Sequence, residues 1–203
     1  MHNIKSCLII LILLFQLFIV SSAAQSISLQ PGDIVWRDID EDYFKVPDFL
    51  QHRFAHPLMY IGKNSEDYLF IEAHNEGVEL QLYSESWINE NLYNEISRVK
   101  ASLTQKQNAI AFMYSQVGKD FRPVFIEGWH PKVYDPTVND EWFCTELVWA
   151  AYYNCNNHPN AKIFGDGIDI DRKGGTFIDK IWPIVLPNDI RMDNNVINLQ
   201  LFI

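Results

Sequence analysis

The segment Trp142-Phe143-Cys144-Thr145-Glu146-Leu147 puts a cysteine where a helix is expected to begin. Unsatisfied backbone N–H groups and the positive end of the helix dipole favour thiolate over thiol at such a place. A thiolate there can act as a nucleophile, and the same N–H groups can hold the oxyanion of a tetrahedral intermediate. The competing reading of Cys144 is a small buried hydrophobe.

A cysteine nucleophile needs a base, usually an imidazole oriented by a third polar group. His56 opens the apolar run HPLMYIG, an odd place for an imidazole unless it faces a site. A hairpin centred near residue 64 sets His56 opposite Glu72, whose carboxylate would hold the far ring N–H and raise the ring's basicity. Glu72 lies within the apolar run LFIEA, where an unpaired carboxylate is costly. It can also be read as a partly exposed edge-strand residue. His74 shares its parity and would serve instead if the register shifts by one step, so parity alone does not separate the two.

Of the remaining histidines, His2 lies in the N-terminal apolar segment read below as a signal peptide, and His52, His130 and His158 stand beside Arg, Pro or Asn in loop-like sequence and read as solvated. A metal site is disfavoured. His56, Glu72, His74 and Cys144 lack the paired spacing of a zinc ribbon or an HExxH helix, and Asp166, Asp169 and Asp171 miss the calcium-loop spacing. No cofactor is expected.

These residues need elements to position them. Residues 34–36 read as a short strand after the Pro31-Gly32 turn, and the acidic stretch 37–55 as an excursion, either a lid or inert decoration. Residues 56–62, 68–73 and 78–83 form an antiparallel meander, followed by a short helix over 84–91 and a strand over 95–100. Thr104 is a suitable N-cap for a helix closed by Gly118. Residues 120–140, with three prolines, read as loop. Leu147, Val148, Ala151 and Tyr152 make one apolar stripe, so 144–155 is a core-packed helix. A glycine-rich stretch and a last apolar run, 196–203, complete a single α+β domain.

The chain has 203 residues, is 48% hydrophobic and 14% aromatic, and carries a net charge of −10. That composition excludes a disordered chain, leaves room for one ordinary domain, and disfavours any surface that grips nucleic acid or anionic lipid by charge alone. Residues 1–24 read as a secretory signal peptide, with Lys5 ahead of a 13-residue apolar run and Ser22-Ala23-Ala24 as the cleavage signal. The run is short of the roughly 20 residues a membrane span needs, so the mature chain, 25–203, is expected to be secreted or periplasmic with no stable span. Cleavage removes Cys7 and one charge, Lys5, so the mature net charge becomes −11. Cys144 and Cys155, eleven apart in one helix, would stand about 16 Å apart along its axis, which makes their pairing unattractive and leaves at least one thiol expected free.

Five segments in order, LQPGDIVWRD, HPLMYIG with FIEA, GVELQL, SQVGKDF and FCTELVWAAY, together resemble the circularly permuted papain-like cysteine hydrolases of the NlpC superfamily, in their YiiX-like branch. The resemblance implies a permuted papain-like fold, a small antiparallel barrel-like sheet with the nucleophile helix packed against it. It implies Cys144 as nucleophile, His56 as base and Glu72 as the residue that orients it. The implied reaction is acyl transfer through an acyl-enzyme, as a hydrolase or acyltransferase on an amide or ester of a peptidoglycan peptide or a lipid or acyl amide. A non-catalytic lipid- or peptide-binding module on the same fold is the alternative. Phe54, Trp129, Tyr134 and Trp142 would suit an apolar substrate, or else serve as ordinary core packing.

Overall fold

Near-continuous apolar runs, IVW, PLMYI and LFI, build the central strands of the sheet that carries the site. The structure, a computed structural model, describes residues 28–38, 55–122, 132–156, 164–177 and 184–200. In chain order its elements are β1 (Ile34–Arg37), β2 (His56–Lys63), β3 (Tyr68–His74), β4 (Gly77–Tyr83), α1 (Glu85–Asn91), β5 (Leu92–Val99), α2 (Leu103–Gln116), β6 (Asp120–Phe121), β7 (Glu141–Trp142), α3 (Cys144–Tyr153), α4 (Pro187–Arg191) and β8 (Val196–Gln200). Six strands form one antiparallel sheet in the order β4-β3-β2-β1-β5-β8. β4 and β8 are its two edges. Among the described residues the sheet is open, not the barrel-like closure expected from the resemblance.

Both faces of the sheet are covered. Ile34, Trp36, Met59 and Ile71 pack under Ala109 and Met113 of α2 and Leu147, Val148 and Ala151 of α3. Val35, Leu58, Tyr60, Phe70 and Ile96 point the other way and pack with Ile88 of α1. Burying a side chain of this kind is worth roughly 1.5–3 kcal/mol, so both layers contribute to the rigidity of the strands between them.

The β2–β3 register differs from the simple hairpin count. Met59 pairs with Ile71 and Tyr60 with Phe70, but Gly62 pairs with Leu69, because an extra residue is accommodated between Tyr60 and Gly62. Carried one step on, the register sets Glu72 against Leu58, so His56 and Glu72 are diagonal neighbours rather than directly opposed. Long side chains span that diagonal. Pro57 is tolerated in an interior strand because its paired residue is Trp36 on the β1 side, while pairing with β3 begins only at Met59.

Two further local readings change. Helix α2 is capped by Ser102, not Thr104: Ser102 accepts from Gln105 N–H and the Gln105 side chain accepts from Ser102 N–H, a reciprocal capping box. The stretch 120–140 is not all loop, since β6 and β7 pair in parallel. Two glycines have positions that a side chain could not share. Gly77 has φ 110°, and a Cβ there would lie 2.5 Å from the Lys119 carbonyl oxygen; Gly32 has φ 93° and accepts the Tyr152 hydroxyl hydrogen bond that ties the end of α3 to the start of β1.

Candidate active site

Arg37 is the last residue of β1 and lies directly opposite His56, the first residue of β2. Their neighbour on β3 is Glu72. His56 Nε2 stands 2.7 Å from Glu72 Oε2, and an Arg37 N–H donates to the same oxygen at 3.0 Å. Tyr83 of β4 donates its hydroxyl to Glu72 Oε1 at 2.5 Å. The Glu72 side chain has no exposed surface, and isolated burial of that kind would be prohibitive. Here it is satisfied on both oxygens.

The charges follow from this geometry. Burial alone would push the Glu72 carboxyl up, but the His56 hydrogen bond and charge, the Arg37 guanidinium and the Tyr83 hydroxyl outweigh it and bring the group down to about 2. His56 is lowered from the usual imidazole value, first by burial and then by Arg37 and His74, against the Glu72 hydrogen bond and charge that favour its proton. The ring is therefore neutral at neutral pH, because burial, helped by the Arg37 charge, outweighs the pull of the carboxylate. With Nε2 held by Glu72, Nδ1 is the ring nitrogen without a hydrogen-bond partner among the described residues.

Cys144 comes from α3, which packs on β2 and β3 and brings the thiol within electrostatic reach of Glu72 and Arg37. Phe143 has extended backbone (φ −81°, ψ 149°), and its carbonyl accepts the first helical hydrogen bond, from Leu147 N–H at 2.9 Å. Cys144 is thus the first helical residue, as its sequence context suggests. Its thiol is only 5% exposed, and burial pushes it up to about 12. The N–H groups of Thr145 and Cys144 itself favour the thiolate, as does Arg37, while the Glu72 charge opposes it. The expectation that the helix start leaves a standing thiolate is thereby corrected: burial wins, and the resting pair is thiol and neutral imidazole. Any nucleophilic attack from Cys144 must move its proton as the new bond forms.

A second buried carboxylate fixes the start of α3. Glu146 meets Arg122 at 2.7 Å and accepts from Val133 N–H at 2.6 Å and Phe143 N–H at 3.4 Å. Thr145 Oγ1 donates to the Val185 carbonyl at 2.5 Å. The helix is thereby tied to three otherwise irregular segments.

The other proposed site residues fall as follows. His74, the alternative orienting residue for His56, pairs instead with Glu79 at 3.1 Å, while Glu72 meets the His56 ring. Trp142 is core: its ring has no exposed surface, packs edge-on to Phe112 and donates to Gln116, so it offers nothing to a substrate. Tyr134 is 40% exposed and packs edge-on to Trp149 and Tyr153. Phe54 and Trp129 lie outside the described residues, as do His52, His130, His158 and the segment 1–24. Cys144 and Cys155 are both buried free thiols. Asp169 and Asp171 are taken by Trp149 Nε1 and Lys132 Nζ. Arg37 and Tyr83 were not anticipated. Tyr83 shares parity with Glu72 through the Gly77 turn, a usable signal, whereas Arg37 meets Glu72 only through the β1–β2 pairing, for which no local pattern exists.

The chain belongs to a known family. The model of the permuted papain-like amidase enzymes, the YaeF/YiiX, C92 family, matches residues 28–199. The fold class is therefore permuted papain-like, and the family's chemistry is cysteine amidase-type hydrolysis. No curated protein and no solved structure matches the chain.

Proposed function

We propose that this permuted papain-like amidase cleaves its substrate through Cys144, His56 and Glu72 by way of an acyl-enzyme. The observation that carries the reading is the 2.7 Å contact between His56 Nε2 and a fully buried Glu72, whose charge is felt by a cysteine at the first position of a helix. That arrangement orients a neutral base and leaves Nδ1 for proton transfer.

In the first half-reaction Cys144 Sγ attacks the amide carbonyl carbon while its proton passes to His56 Nδ1. The N–H groups of Cys144 and Thr145, which already favour negative charge on the sulfur, hold the oxyanion. His56 then gives the proton to the leaving nitrogen as the C–N bond breaks. Glu72 stabilises the transient imidazolium. In the second half, water attacks the thioester, His56 takes one of its protons, and collapse returns that proton to the sulfur. An ester would follow the same steps with an alcohol leaving, and an acceptor other than water would make the enzyme an acyltransferase.

The substrate classes we put forward are a peptidoglycan peptide and a lipid or acyl amide. The N-terminal signal-like segment supports action outside the cytoplasm, in the periplasm or the medium. The test is incubation of the protein with a panel of peptidoglycan fragments, acyl amides and phospholipids, followed by intact mass. An acyl adduct that maps to Cys144 and is lost in Cys144→Ser and His56→Ala is expected. Ligand retention without any adduct, unchanged in Cys144→Ser, would replace this reading with that of a non-catalytic binding module.

A further inference from the structure

Glu72 is held on more sides than a partner for one imidazole requires. His56 and Arg37 share Oε2, and Tyr83 occupies Oε1. A carboxylate with a single partner swivels about its last torsion, which is broad for glutamate; donors on both oxygens remove that freedom. Tyr83 is in turn clamped. Its ring stacks on Trp87 of α1 with centroids 3.6 Å apart and planes 8° from parallel, and packs on Phe70 at 5.8 Å. Ser84, the next residue, caps α1 by accepting from Trp87 N–H, so the stack is fixed at its root. Four adjacent strands, β1 to β4, thus contribute one side chain each to a continuous polar row.

We propose that Arg37 and Tyr83 are positioning residues of this site, which between them fix both Glu72 oxygens and so hold the His56 ring in one orientation. The inference rests on the reading of His56 as the base. Charged and titratable groups facing the ring and its carboxylate are Arg37 from β1, His74 from β3, Tyr83 and, beyond it, Glu79 from β4, and Cys144 from α3. Glu72 is the only carboxylate in contact with His56 among the described residues. Arg37 and Tyr83 both draw on its negative charge, so removing either strengthens its hold on an imidazolium proton.

The experiment titrates the His56 ring by proton NMR in the full chain, with the signal assigned by its loss in His56→Gln. Tyr83→Phe keeps the ring and its stack and removes only the hydroxyl, so it tests the idea even if Arg37→Gln does not fold. The ring midpoint is expected to rise by about half a unit in Tyr83→Phe and about one unit in Arg37→Gln, with roughly tenfold losses of kcat on an acyl amide at unchanged KM. Arg37→Lys is expected to restore the midpoint but not kcat, since a point charge lacks the guanidinium's planar donors. Midpoints within about 0.2 unit of wild type in both variants, with a loss of thermal stability only, would overturn the proposal. Because the titration needs no substrate, it still decides the matter if Cys144→Ser leaves turnover intact, a result that would end the functional reading instead.

Discussion

Glu72 and Glu146 are both buried carboxylates with an arginine partner, one under the start of β2 and one at the start of α3, yet their protons are held oppositely. Glu72 is drawn down to about 2 by His56, Arg37 and Tyr83, while Glu146 is raised, because burial outweighs Arg122 and the N–H groups of Val133 and Phe143. The difference lies in the partners. Glu72 has three side-chain donors, two of them cationic or able to become so, and stands ready to stabilise an imidazolium. Glu146 spends itself largely on backbone N–H groups and works as a clasp between α3, β6 and the segment at Val133. Burial of a carboxylate therefore does not by itself mark the reactive place; the titratable neighbour does.

Exchanging each carboxylate for its amide should separate the two most sharply in turnover. Glu72→Gln is expected to lower kcat/KM by about 10²- to 10⁴-fold through loss of base orientation, whereas Glu146→Gln should keep the activity of the folded fraction within roughly threefold. Equal losses from both would erase the distinction. Stability should move the other way. Glu146→Ala leaves the buried Arg122 with only the more distant Glu141 carboxylate, at 3.8 Å, and is expected to cost about 3 kcal/mol in urea unfolding, and a cost below about 1 kcal/mol would show that the clasp is dispensable.

Acid titration of stability offers a third contrast. Glu72 has a folded value below its ordinary 4.5, so its stabilisation is complete above pH 4.5 and is lost as pH falls toward 2. Glu146 has a folded value above 4.5, so it binds its proton more readily folded than unfolded, and acidification toward 4.5 favours the fold. The urea midpoint of Glu72→Gln should accordingly fall less steeply than wild type below pH 4.5, and that of Glu146→Gln should lack the gain above it. Slopes parallel to wild type in both would contradict the assignment.

The smallest effect concerns the thiol. Since the Glu72 charge raises Cys144, Glu72→Gln should speed iodoacetamide labelling of Cys144 by roughly threefold at pH 9, where His56 is neutral in either protein, and Glu146→Gln should not. In both, the rate should keep climbing with pH instead of levelling near 7, as a thiol held near 12 requires.

Much of this was legible in the chain itself. The run HPLMYIG, the parity of Glu72 and the apolar stripe beginning at Cys144 predict β2, β3 and α3 within a residue or two, because each rests on a local period. The Ser102 and Gln105 capping box is equally local, two residues before Thr104. What lay beyond reach were contacts between distant segments. The hairpin turns between residues 65 and 66 rather than near 64, and together with the extra residue between Tyr60 and Gly62 this sets Glu72 diagonal to His56 rather than opposite it, while the pairing of Asp120 and Phe121 with Glu141 and Trp142 has no periodic trace. Trp142 is open from the sequence to either substrate contact or core packing, and β7 carries it into the core.

Residue types, strand parity and the helix start were set by the sequence, since each depends on neighbours a few positions away. The state of the reactive groups was not. Whether Cys144 rests as thiol or thiolate, and whether Glu72 or His74 holds His56, depends on desolvation and on charges brought in from four strands and a helix. Those are sums over everything packed around a group, and only the tertiary structure decides them.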